Sequence, residues 1–184
     1  KDNLSHWYAG GGYADPLYCQ TLSTSQCTEE PGCAVMDGTY VDTETGETTE
    51  FENQCKAYLP PDIIQQLRPE RHFRVYQGEI YGQIPDINWR EVFSERNRNG
   101  GNFWIRDTQL EGTIPASLFF ATENENGPPF EAQRFHIRDN PKIGGEIPEN
   151  VGDIFLTSSY QSLSQFSLSD NNLSGPIPQS ICNY

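Results

Sequence analysis

Four segments of this 184-residue chain repeat one pattern in register, and that recurrence limits the fold more than any other feature. They run from Phe73-x-Val75 to Ile80-x-Gly82-x-Ile84-Pro85, and from Phe103-x-Ile105 to Leu110-x-Gly112-x-Ile114-Pro115. The third runs from Phe135-x-Ile137 to Ile143-x-Gly145-x-Ile147-Pro148, and the fourth from Phe166-x-Leu168 to Leu173-x-Gly175-x-Ile177-Pro178. From Gly82 through Gly112 and Gly145 to Gly175 the steps are 30, 33 and 30 residues, and the third copy has one extra residue before its Gly. An isolated G-x-I-P carries no information. Four copies in register with an upstream apolar pair describe the coils of a solenoid.

Each part of the pattern has a physical reason. The apolar-x-apolar pair is a short strand with both side chains on one face, by two-residue alternation. Asn140 and Asn171 follow their strands, where an amide can satisfy backbone groups that no ladder reaches. Gly permits a tight turn. Ile buries, and Pro then fixes the backbone where no ladder donor is needed. Each coil buries its apolar side chains only against its neighbours.

These residues resemble the plant-type leucine-rich repeat, L-x-x-L-x-L-x-x-N-x-L-x-G-x-I-P. The resemblance spans roughly Leu67 to Tyr184 and is fullest from Leu163 to Ile181. Gly78 and Thr108 stand where the family has Asn, and Phe often replaces Leu. It implies an α/β solenoid: a right-handed coil with short parallel strands on a concave face, turns and short 3-10 or α helices on the convex face, and a disulfide-bonded N-terminal cap. The family unit is about 24 residues, so the extra residues belong after Pro, in the loop-like stretches 95–101 and 122–129. Residues 1–61 do not match the repeat and read as the cap over the first coil's apolar edge; residues 62–184 form about four coils. Pro60-Pro61 followed by Asp62 to Leu67 predicts a short helix leading into the first coil. The segment Ile181 to Tyr184 stops where another coil would begin, so a longer chain or an unseen cap is expected there.

Cys19, Cys27, Cys33 and Cys55 cluster among Thr, Glu, Pro and Gly, which reads as a disulfide framework in an oxidising compartment, with three pairings open. Zinc is the weaker alternative, because no C-x-x-C pair occurs. Cys182 stands alone and is either free or paired outside this chain. Sequons at Asn3 and Asn172 agree with a secretory route and predict glycosylation in an extracellular or secretory-lumen protein. No apolar run is long enough for a membrane helix, and Lys1 to Tyr13 has no signal-peptide core. The acidic stretch Asp37 to Glu47 reads as a solvated hairpin turn, since it lacks calcium-loop spacing.

In the resembled family, ligands lie on the concave strands. The outward positions beside the inward pair can be read directly. One column is His72, Asn102, Arg134 and Gln165; the next is Arg74, Trp104, His136 and Ser167. Then come Tyr76, Arg106, Arg138 and Ser169, and beside them Gln77, Asp107, Asp139 and Asp170. The chain is acidic, with a formal net charge of -14, which sets it against phosphate backbones and nucleic acid. Yet four of its arginines, Arg74, Arg106, Arg134 and Arg138, fall in these columns with Tyr76, Trp104 and His136. That stripe predicts a site for an acidic glycan or an acidic protein loop, through guanidinium donors and aromatic faces. The competing reading is an Arg–Asp ladder, such as Arg106 with Asp107 or Asp139, in which the pairs cancel much of the field. For His72 and His136, pH-sensitive contacts compete with simple solvation.

No H-E-x-x-H, G-x-S-x-G, P-loop or G-x-G-x-x-G occurs, so neither catalysis nor a cofactor nor a metal site is expected. Recognition of a protein or glycan is the favoured role. A scaffold role in a wall, matrix or larger assembly, with a partner contact through Cys182 or the C-terminal end, is the second. Ice binding is third, since it needs a regular column of one small residue type.

Overall fold

The computed structural model describes residues 16–66, 72–93, 101–119, 132–155 and 163–183. Asn3 and the insert stretches, apart from Gly101, lie outside them. Two short helices, α1 (Pro16–Thr21) and α2 (Thr24–Cys27), come first. Ser23 starts α2 with a capping box: its hydroxyl accepts from the Gln26 N–H, and the Gln26 side chain accepts from the Ser23 N–H. Strands β1 (Cys33–Val41) and β2 (Thr48–Tyr58) form an antiparallel hairpin. Asp37 to Val41 of the acidic stretch belong to β1, and only its second half is the turn, where the Asp42 carboxylate accepts from the N–H groups of Glu44 and Thr45 at 2.9 and 2.8 Å.

The four early cysteines pair as Cys19–Cys33 and Cys27–Cys55, which decides the connectivity and removes the zinc alternative. These bonds tie α1 and α2 to the hairpin. Helix α3 (Pro61–Gln66) then leads into the coils, as the Pro60-Pro61 signal predicts.

Each coil contributes two strands. They are β3 (His72–Gly78) and β4 (Ile80–Tyr81), β5 (Gly101–Thr108) and β6 (Glu111–Thr113), β7 (Ala132–Arg138) and β8 (Asn140–Glu146), and β9 (Gln165–Ser167) and β10 (Asn171–Ser174). After each Ile-Pro comes a short helical turn: α4 (Trp89–Phe93), then 3-10 turns at Ala116–Leu118, Glu149–Phe155 and Gln179–Asn183. One parallel sheet has the order β3-β5-β7-β9; a second has the order β10-β8-β6. The third, β1-β2-β4, joins the hairpin to the first coil through the parallel pairs Ala57↔Ile80 and Tyr58↔Tyr81. This is a solenoid-like repeat fold.

The inward pair packs as the alternation requires. Phe73, Phe103, Phe135 and Phe166 form a continuous stack, with ring centroids 5.2, 4.7 and 5.6 Å apart. Val75, Ile105 and Ile137 are fully buried and lie opposite one another. Strand β9 ends at Ser167, so Leu168 follows the paired segment and is only half-buried. Trp89, which the repeat pattern does not single out, packs edge-on against Phe73 and Phe103 and donates to the Pro85 carbonyl at 2.9 Å. Near the extra residue of the third coil the β8–β10 register breaks, passing from Asn140↔Asn171 to Gly144↔Asn172.

The asparagines do what their position demands. Asn140 Nδ2 donates to the carbonyls of Ile105 and Arg138, and Asn171 Nδ2 donates to those of Ile137 and Leu168. Thr108, in the family's Asn position, is buried and gives its hydroxyl to Asn140 Oδ1 at 2.7 Å. At the turns, Gly145 has φ +77°, and a Cβ there would meet Thr113 Cγ2 at 2.8 Å.

The hairpin also reaches past the first coil. Gln109 accepts from the Val41 N–H and donates to the Val41 carbonyl, at 2.8 and 2.7 Å. Lys142 Nζ donates to the Thr39 carbonyl at 2.7 Å. Two side chains from the second and third coils thus satisfy β1 edge groups that would otherwise be open.

Candidate binding face

The four-stranded sheet places the outward columns side by side, because from Asn102 onward the parallel pairing keeps equivalent residues at adjacent rungs. Asn102, Arg134 and Gln165 form one row next to the His72 backbone. Arg74, Trp104, His136 and Ser167 form the next. Tyr76, Arg106 and Arg138 form the third. All seven predicted outward residues, Arg74, Tyr76, Trp104, Arg106, Arg134, His136 and Arg138, therefore share one face. The side chains of His72 and Gln77 lie outside the described set.

The central row is a stack. The Arg74 guanidinium sits 4.6 Å from the Trp104 ring centroid, and His136 lies parallel to Trp104 at 5.9 Å and 5°. Strand β5 lies between β3 and β7, so these two neighbours cover Trp104 from opposite sides. Its ring faces are therefore engaged within the protein, and the expectation that Trp104 offers an open stacking face is corrected. Arg74 Nε, Trp104 Nε1 and His136 Nδ1 are all buried without a hydrogen-bond partner.

Charge around His136 is one-sided. Burial and the positive charges of Arg138, Arg106 and Arg134 hold its pKa below the ordinary imidazole value. A cation at His136 would also bury an unpartnered Nδ1–H.

The arginines divide into two kinds. Arg106 Nε donates to Asp107 Oδ2 at 3.2 Å. Arg138 Nε lies 3.3 Å from Asp139 Oδ2, an ion pair without hydrogen-bond geometry. Both pairs lie within one coil, not between coils. Among the described residues, Arg74 and Arg134 pair with no carboxylate, and Arg134 is exposed. Arg–Asp pairing thus accounts for two of the stripe's four arginines. The sequence columns do not reveal why these aspartates sit where they do: Asp107, Asp139 and Asp170 all have positive φ, at 54°, 59° and 55°. Asp tolerates that conformation better than most side chains because its short polar group bonds locally.

Elsewhere, Asn172 is exposed on β10, and Cys182 is exposed with a free thiol. Among the described residues no helix is long and apolar enough to cross a membrane, and no group of three or more His, Cys, Asp or Glu could hold a metal ion.

The coils, their parallel sheets and the asparagine ladder define the class as a repeat solenoid. The Leucine Rich Repeat family model matches residues 162–184. Among solved structures, a chain of the BIR3 - SERK2 complex from Arabidopsis thaliana is similar to it at 15% identity and a TM-score of 0.44, covering 90% of this chain and 79% of that one. No curated protein matches the sequence.

Proposed function

We propose that the protein is a non-catalytic recognition module, which binds an acidic protein segment or acidic glycan on the outward face of the β3-β5-β7-β9 sheet. One observation carries this reading: among the described residues, Arg74 and Arg134 stand without carboxylate partners on a face shared with Arg106, Arg138 and His136, in a chain of net charge -14. Unpaired guanidinium groups on an acidic protein favour an anionic partner over bulk solvent. The residues assigned to the contact are Arg74, Tyr76, Arg106, Arg134, His136 and Arg138, with Trp104 as the platform on which Arg74 and His136 stack.

The rest of the reading follows the same plan. Residues 1–61 act as the cap and 62–184 as the coils, wound right-handed as parallel crossovers are, with the arginine-bearing strands on the concave side. Two disulfides support a secretory or extracellular setting. Asn172, exposed on β10, accepts a glycan there, away from the arginine face.

The test is binding of fluorescent dextran sulfate against uncharged dextran at several salt concentrations. The wild type should bind the sulfated polymer alone, more weakly as salt rises. Arg74→Glu with Arg134→Glu should abolish that binding and leave the circular dichroism spectrum unchanged. Equal binding by wild type and variant would reject the arginine face. Absence of any ligand, with stoichiometric copurification in a large complex, would favour the scaffold role instead.

A further inference from the structure

Resting on the reading of this face as an anion-binding surface, we propose that Asp107 and Asp139 are its specificity-determining residues. As built-in counter-ions of Arg106 and Arg138, they exclude isolated carboxylates and admit ligands whose closely spaced anionic groups reach several arginines at once.

Both contacts place an internal carboxylate on the guanidinium Nε, at 3.2 Å for Asp107 and 3.3 Å for Asp139. All four side chains keep roughly a third of their surface in solvent, with values between 29% and 34%. A ligand can therefore compete for them. A single carboxylate arriving at Arg106 would exchange one such pair for an equivalent one. Exposed pairs of this kind contribute little, so the exchange gains almost nothing. A polyanion is different. Arg106 and Arg138 lie opposite one another on adjacent strands, about 4.8 Å apart in the ladder direction. Arg134 is on the same strand as Arg138 and carries no counter-ion among the described residues. A ligand with charges at that spacing engages Arg134 first and then displaces two internal carboxylates with one molecule.

The aspartates are fixed where they can do this. Both sit at positive φ just after the outward arginine, so the carboxylate is directed by the backbone bend itself. Asp170 occupies the same bend at φ 55°, but Ser169 stands before it in place of an arginine. It is an internal control, with the same charge and backbone and no guanidinium to hold.

The experiment titrates the full chain with acetate and with dextran sulfate. The variants are Asp107→Asn with Asp139→Asn, which keeps a residue that accepts positive φ, and Asp170→Asn alone. The wild type should bind dextran sulfate and not acetate. The double variant should bind dextran sulfate about tenfold more tightly, two weak competing pairs having been removed, and should acquire measurable acetate binding. Asp170→Asn should match the wild type. Asp107→Gly with Asp139→Gly, also at ease with positive φ, should reproduce the double Asn result. Unchanged or weaker sulfate binding in both double variants, with wild-type binding intact, overturns this proposal and leaves the anion-binding reading standing. An equal gain from Asp170→Asn also overturns it, since net charge would then explain the effect. No sulfate binding by any form sinks both readings together.

Discussion

The backbone N–H of Asn140 donates to the side-chain oxygen of Asn171, one coil further on, at 3.1 Å. Asn140 in turn receives the N–H and hydroxyl of Thr108 from the coil before it, at 3.2 and 2.7 Å. One amide thus ties three coils, and it is completely buried. Asn140→Ala leaves the carbonyls of Ile105 and Arg138 and the Thr108 donors without that partner. Unsatisfied buried groups cost about 1–3 kcal/mol each, so a loss of about 3–5 kcal/mol is expected with partial relaxation. Asn171→Ala should cost less, since Asn171 is only half-buried. Urea denaturation followed by circular dichroism would read both; a shift of a few tenths for Asn140→Ala would refute the ladder.

Much of this arrangement was legible in the sequence, because it is periodic. Phe73, Phe103, Phe135 and Phe166 announce an inward column by recurrence, and the pleat then assigns Arg74, Trp104 and His136 to the other face. What recurrence does not encode is contact between different kinds of element. Trp89 belongs to no repeat position, yet it closes the aromatic stack. Gln109 and Lys142 look like ordinary polar residues of their coils, and the hairpin laid beside them gives each a backbone partner that the repeat does not encode. Trp104 was readable as outward but not as enclosed, since its covering by Arg74 and His136 depends on side-chain direction. The cysteine pairing was closed to sequence reasoning for the same reason.

The aromatic stack makes a second prediction. Phe103 is fully buried between Phe73 and Phe135, with Trp89 edge-on at 5.7 Å. Phe103→Ala should destabilise the chain by about 3–5 kcal/mol, the transfer and cavity terms of a large core truncation together. Phe103→Leu should lose about half as much, because the site keeps most of its apolar volume. Thermal melts of the two variants against wild type would separate them, and equal midpoints would mean that the stack is not a core.

Where the hairpin meets the first coil, Lys56 is nearly buried and pairs with Glu79. Its ammonium also lies 4.6 Å from the Phe51 ring and 5.3 Å from that of Tyr81. The Tyr81 hydroxyl donates to the same carboxylate, and burial followed by the Glu79 charge pushes the phenol pKa well above its ordinary value. Glu79→Ala strands a buried cation, which costs about 3–5 kcal/mol. Lys56→Met with Glu79→Leu removes both charges and should be close to neutral. A double variant as unstable as the single one would show that the pair itself, and not the stranded charge, carries the stability.

His136 gives the chain a pH dependence whose sign can be worked out. Its pKa in the folded state lies below the ordinary value, through burial first and then Arg138, Arg106 and Arg134. In the unfolded chain it titrates near 6.5. Above that pH both states are neutral, and the residue contributes nothing to the pH dependence. As pH falls through 6.5 toward the folded value, the unfolded chain takes up the proton while the folded one does not. Stability therefore declines over that window. Below the folded value both states are protonated and the loss levels off. His136→Phe keeps a ring against Trp104 and removes the titration. Denaturant midpoints for wild type and variant, measured from pH 8 to pH 4, should run parallel above about 6.5 and converge or cross below it. Curves that stay parallel throughout would show that burial and the arginines do not hold this imidazole neutral.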